Sequence, residues 1–91
     1  SRIDVATALS ILQRARATIA SAEPYLPETL EQPLRDLADA LQIKAGSVFG
    51  VLRGAVTGQK VSPPLFETMA ILGRERVCAQ IDQAMQVLKE M

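Results

Sequence analysis

Three cations, Lys44, Arg53 and Lys60, share a stretch from Ala40 to Phe66 that holds no acidic residue, while the ten Lys+Arg and ten Asp+Glu of the whole chain cancel. An anionic partner is held best where one sign of charge is concentrated. The same pattern arises without a partner, because Lys and Arg often settle near the C-terminal ends of helices. Charge alone leaves both readings open.

The run Lys60-Val61-Ser62-Pro63-Pro64-Leu65-Phe66-Glu67 follows. A serine hydroxyl and then a proline, at a position where no N–H is missed, is a strong helix start. Pro63 and Pro64 carry no N–H, so Ser62 and the first free amides, Leu65 and Phe66, are expected to point outward from a tip that attracts electronegative atoms. A well-capped helix without any ligand accounts for the same residues. Glycines at 46, 50, 54 and 58 form a third feature. Each interior glycine costs a helix ~1 kcal/mol against alanine. Either a neighbouring helix packs against the bare backbone, or a groove is left open beside Arg53 for a ligand. A membrane dimer motif is excluded by Arg53 and by the short apolar length.

Other chemistry is sparse. Histidine is absent, which removes His-based general bases, His metal sites and every Ser/His or Cys/His nucleophile pair. Cys78 is the sole cysteine, so neither an internal disulfide nor a cysteine zinc cluster can form, and a reducing compartment is the easier reading. It falls near an apolar stripe and reads as packing. Glu67 with Glu75, or Asp36 with Asp39, read as solvated carboxylates rather than catalytic pairs. Gly73-Arg74-Glu75-Arg76 lacks the lysine and the strand of a phosphate loop. The longest uncharged run is nine residues, Val5 to Gln13, against roughly 18 for a membrane span. No signal peptide is visible, because Arg2 and Asp4 open the chain. A start at Ser1 without Met reads as a processed protein or a piece of a longer one.

The elements that must position these residues are helical throughout. With 91 residues, 9.8 kDa and 48% hydrophobic residues, the chain is one small domain with a real core; a chain of this size hides ~60–65% of its unfolded surface. Val5, Leu9, Leu12, Ile19 and Ala22 recur at helical spacing, ending at Glu23-Pro24-Tyr25-Leu26-Pro27, where two prolines force a bend. Ser1 is a loose cap for this segment. Leu30, Leu34, Leu37, Ala38 and Leu41 mark a second helix, starting at Thr29 with a capping-box partner at Gln32, or at Pro33 with Gln32 as cap, and ending near Gln42. A third runs from Ala45 or Gly46 to Gly58, with Val48, Leu52, Ala55 and Val56 inward, Phe49 on the border and Arg53, Gly50, Gly54 and Thr57 on the other side. A fourth starts at Ser62-Pro63 and ends at Gly73, with Leu65, Met69 and Leu72 on one side. A fifth, Arg74 to Lys89, carries Val77, Ile81, Ala84, Met85 and Leu88. No segment alternates with period two. The expected fold is all-α: a compact single-domain bundle of about five helices spanning residues 1–91.

The order of these motifs is specific. Ile43-Lys44-Ala45-Gly46, Leu52-Arg53, Thr57-Gly58, Ser62-Pro63-Pro64-Leu65-Phe66-Glu67 and Leu72-Gly73-Arg74-Glu75-Arg76 together resemble the C-terminal anticodon-binding domain of bacterial glutamyl-tRNA synthetase, a class I synthetase. The resemblance is dense from about Leu41 to Leu88; before that it rests on helical pattern.

The resemblance implies a partner, the tRNA anticodon loop, whose first two bases this domain reads. It implies no catalysis in this segment: the intact cytoplasmic enzyme, a monomer, charges tRNA with glutamate using ATP and magnesium in an upstream nucleotide-binding domain, and the segment itself needs no cofactor. By matching position, Arg53 meets the first anticodon base, and Ser62, Pro63 and Leu65 meet anticodon bases at the helix start. Ser62 stands where threonine is frequent and keeps the hydroxyl. Pro64 stands where glycine also occurs. Gly50 and Val51 depart from a larger polar residue and a proline, so a side-chain base contact from position 50 is lost. RNA readout of unpaired bases suits this set: a planar guanidinium, a hydroxyl and exposed amides for base edges, Pro63 and Leu65 as apolar shelves. Lys44, Lys60 and Arg35 are candidates for the RNA backbone, although Arg35 is better placed to pair with Asp39.

A helical protein-interaction module, with the glycine line as a docking groove, is the alternative. A stand-alone enzyme finds no support. The anticodon reading requires Arg53 and the 62–65 tip to face one patch of solvent.

Overall fold

The computed structural model describes residues 3–58 and 64–91. Five helices are found among them, α1 Val5–Ser21, α2 Pro27–Leu41, α3 Ala45–Thr57, α4 Leu65–Leu72 and α5 Arg74–Lys89, and the described residues contain no strand. The all-α expectation is met.

α1 begins where the Asp4 carboxylate accepts the Thr7 N–H at 2.7 Å. The cap is therefore Asp4; Ser1 lies outside the described residues. Hydrogen bonds from Thr7, hydroxyl first and then backbone N–H, hold the Asp4 carboxyl below its ordinary pKa. Ile11, Leu12, Ala15 and Ile19 are buried, whereas Val5 is exposed and Leu9 half-buried. Val5 shares the side of Leu12, seven residues on, but lies in the first turn, past the end of the core.

α2 departs most from the sequence pattern. It starts at Pro27, not at Thr29 or Pro33, with Leu26 as flanking residue and no side-chain cap. Proline at the first helical position gives up an N–H that the helix would not use. Pro33 then lies inside the helix, where its missing N–H and its ring cost stability. Burial of Leu30, Leu34, Leu37 and Ala38 offsets that cost; each large apolar side chain taken from water contributes about 1.5–3 kcal/mol. Gln42 closes the helix in the left-handed region, φ 58°.

α3 runs as the glycine stop predicts: Gly58 takes φ 72° and its N–H bonds back to the carbonyls of Arg53 and Gly54. α4 starts at Leu65, after Pro64, two residues later than a Ser62 cap implies. Ser62 and Pro63 themselves are outside the described residues. α5 spans the expected range, with Val77, Cys78 and Ile81 buried.

All five helices feed one core, with Leu12, Ile19, Leu30, Leu34, Val48, Leu52, Leu65, Met69, Val77 and Ile81 at its centre. α1 and α5 run antiparallel: Arg16 pairs with Asp82 at 2.6 Å, and Ala8 and Leu88 line one groove further along. α3 touches every other helix. The proline bend is tied to the α4–α5 junction. The Tyr25 hydroxyl donates to the Met69 carbonyl at 2.9 Å. The Arg74 guanidinium lies 5.2 Å from the Tyr25 ring centroid, donates to the Ala22 carbonyl and approaches Glu23 at 3.8 Å. Burial pushes the Tyr25 phenol above its ordinary pKa.

Candidate nucleic-acid interface

Rotation about the α3 axis, about 100° per residue, sorts its residues into four arcs. Val48, Phe49, Leu52 and Val56 face the core. Arg53 and Thr57 flank the core arc on the Phe49 side. Gly46, Gly50 and Gly54 follow, exposed, and beyond them Val51 and Ala55 form the opposite flank. Apart from the flanking residues and the backbone of α3 itself, no described atom lies within 4 Å of where a Cβ would stand on Gly46, Gly50 or Gly54. The close helix packing considered for these glycines is thus not found. The line is an open, side-chain-free strip beside Arg53.

Arg53 is half-buried, neither locked inside nor projecting alone. Its carbonyl accepts the Thr57 hydroxyl at 2.7 Å and the Gly58 N–H at 3.2 Å, which fixes the end of the helix that carries it. One turn earlier on the same side, Phe49 meets Phe66 of α4, centroids 5.2 Å apart and planes at 88°. Across from α2, the Arg35 guanidinium lies 5.3 Å from the Phe49 centroid. The Arg53 flank of α3, the start of α4 and the middle of α2 therefore adjoin. The first intrahelical bond of α4 runs from the Thr68 N–H to the Pro64 carbonyl at 3.0 Å, so the amides of Leu65, Phe66 and Glu67 precede the ladder and form the electropositive end of the helix.

Two sequence expectations need correction. Leu65 is only 2% exposed: its side chain is a core residue, on one stripe with buried Met69 one turn on, and offers no shelf to a base. Among the described residues of this tip, the apolar surface is exposed Pro64 and half-buried Phe66. Arg35 pairs with Glu31 at 2.9 Å rather than with Asp39. A carboxylate four residues N-terminal to a cation is the better orientation along a helix. The pair compensates much of the charge that made Arg35 a candidate for the RNA backbone, while leaving its planar face on Phe49.

Lys44 is exposed and flanks α3 at its start. Nine residues separate it from Arg53, about 14 Å along the axis, so it serves the other end of the strip. Lys60, Ser62 and Pro63 lie outside the described residues. The contact the sequence reading missed is the Phe49–Phe66 pair. The signal was there: the chain has three aromatic residues, Tyr25, Phe49 and Phe66, and two of them border the candidate motifs.

Residues 2–85 match the model of the anticodon binding domain family. The chain belongs to that family. It is 44% identical over 87 residues to the glutamate–tRNA ligase of Roseiflexus castenholzii, a match covering 96% of this chain and 17% of that protein. The ligase of Dehalococcoides mccartyi (strain BAV1) is 44% identical over 85 residues, covering 93% of this chain and 18% of the relative. That of Chloroflexus aurantiacus is 38% identical over 88 residues, covering 97% and 18%. The likeness thus extends through α1 and α2, which helical pattern alone supported in the sequence. The chain spans under a fifth of the length of these relatives.

Proposed function

We propose that this domain grips the anticodon loop of a tRNA, as the C-terminal part of a longer glutamate–tRNA ligase. The observation that carries the reading is the family match across residues 2–85, which spans the α3 flank bearing Arg53 and the α4 start beside it. Arg53 reads the first anticodon base with its planar donor fork. Ser62 and Pro63 complete the helix-start contacts. Leu65 contributes through its backbone amide, its side chain being buried. Lys44 and Lys60 hold the RNA backbone, and Arg35 acts there through a guanidinium already stacked on Phe49. Backbone contacts fix register, while base contacts carry the sequence information.

The domain itself performs no chemistry. In the proposed parent, a monomeric cytoplasmic enzyme, ATP and magnesium serve glutamate activation elsewhere in the polypeptide. The residues here do not fit such a site. The sequence has no histidine, and among the described residues no three His, Cys, Asp or Glu converge as metal ligands. No step here runs through either group.

The test is Arg53→Ala in the parent ligase, titrated with anticodon hairpins that vary one loop base at a time. The expected loss is about 1–3 kcal/mol, concentrated at one base position. An equal loss for every loop sequence would make Arg53 a phosphate anchor and overturn its role in base reading.

A further inference from the structure

All three aromatic residues of the chain, Tyr25, Phe49 and Phe66, are committed to the eight-residue helix α4. Phe66 lies in its first turn and meets Phe49 of α3. Tyr25, in the α1–α2 connection, donates its hydroxyl to the Met69 carbonyl in the second turn, at 2.9 Å. Arg74 follows the Gly73 that closes α4; its guanidinium lies over the Tyr25 ring and donates to the Ala22 carbonyl. We infer that Tyr25 is a positioning residue for base reading: through Met69 it sets the tilt at which the start of α4 meets the anticodon loop. The inference rests on the proposed anticodon grip and adds to it a residue that acts from the second turn of α4, away from the tip.

α4 needs such a contact more than its neighbours do. It buries two residues, Leu65 and Met69, where α1, α2 and α3 bury four each. Those two stand on one stripe, so they set how deep the helix lies and leave its tilt to directed contacts. A helix of this length is a rod of about 12 Å, and a displacement at Met69 is passed to the amides of Leu65 and Phe66. The first turn is held by the Phe49–Phe66 pair, the second by the Tyr25 hydroxyl, with Arg74 fixing the ring that carries it. Base edges are read by hydrogen bonds that weaken steeply with poor angle and distance, so a shift too small to unfold the domain lowers discrimination. The Met69 carbonyl also accepts the Gly73 N–H at 3.1 Å. Tyr25→Phe therefore leaves that oxygen paired and keeps the ring beneath Arg74.

The experiment compares charging kinetics of the proposed full-length parent ligase with those of its Tyr25→Phe and Arg53→Ala variants. The substrates are tRNA with the native anticodon and tRNA substituted at one of the first two anticodon bases, and the temperature stays below the onset of unfolding of all three proteins. For Tyr25→Phe, KM for the native tRNA is expected to rise about twofold to tenfold, the range that the net contribution of one hydrogen bond corresponds to. kcat and the KM for ATP stay unchanged, and the gap between native and substituted tRNA narrows. A lower kcat with KM unchanged is the mark of lost folded enzyme and overturns the proposal. An equal rise in KM for both tRNAs also overturns it, because base reading is then untouched. An unchanged KM beside a raised one in Arg53→Ala overturns it and leaves the anticodon grip standing. Unchanged KM in both variants overturns the grip and this inference together.

Discussion

The rings of Phe49 and Phe66 meet nearly perpendicular, 5.2 Å between centroids, and this one contact sets the start of α4 against the α3 flank that carries Arg53. Arg35 covers Phe49 from α2 at 5.3 Å, so three helices converge on a single ring.

Phe66→Leu keeps apolar volume and removes the edge-to-face geometry. Unfolding in urea is expected to show a loss of about 1 kcal/mol. Under the proposed function the variant also weakens hairpin binding in the parent ligase, because the α4 tip moves relative to Arg53. A variant with unchanged stability would show that the ring pair contributes no more than its area.

Arg53→Lys separates charge from shape. The ammonium keeps the positive charge and loses the planar fork. Under the proposed function, hairpin affinity is expected to keep its salt dependence while discrimination at the base assigned to position 53 falls. Filter binding at two salt concentrations against matched and substituted loops measures both. Retained discrimination would show that charge suffices there.

The α1 cap is titratable. The folded pKa of Asp4 is lowered by Thr7, so its contribution is present above the unfolded value and is lost as pH falls through the folded one. Asn caps a helix about as well as Asp and does not ionise. Asp4→Asn is expected to flatten the part of the melting-temperature profile below about pH 4 that arises at this position, while leaving neutral-pH stability nearly unchanged. Parallel profiles for the two proteins would remove Asp4 from the acid response.

Glycines in one chain are expected to respond with opposite signs. Gly50 lies inside α3 with open space where a Cβ would go. Gly50→Ala should therefore stabilise by about 0.5–1 kcal/mol. Gly58 holds φ 72° at the helix end, a conformation alanine resists, and Gly58→Ala should destabilise by about 1 kcal/mol. Denaturant midpoints for the two variants, with unchanged slopes, check the pair.

Much of the architecture was legible in residue order because strong local signals agreed with packing. Gly58 closes α3 and Gly73 separates α4 from α5, each with positive φ, and the apolar spacing of α5 gave its span. α2 was harder to read. Its pattern points to a start at Thr29 or Pro33 and assigns Pro27 to the bend, whereas the helix starts at Pro27 and buries Leu30 in its first turns. Arg35 illustrates a local ambiguity: carboxylates stand four residues away on both sides, and helix orientation favours Glu31. Leu65 was misread for a different reason. Its place beside Ser62 and Pro63 drew attention to function, while its spacing to Met69 already assigned it to the core. The meeting of Phe49 with Phe66 depends on how two helices pack, which no local pattern encodes.

Because α3 touches all four other helices, the guanidinium at its far end is one step removed from every part of the molecule. Under the proposed function, mild lesions anywhere in the fold should then surface first as blurred decoding, with circular dichroism still native, and temperature-sensitive alleles of the proposed parent should scatter across the whole segment instead of clustering around the RNA.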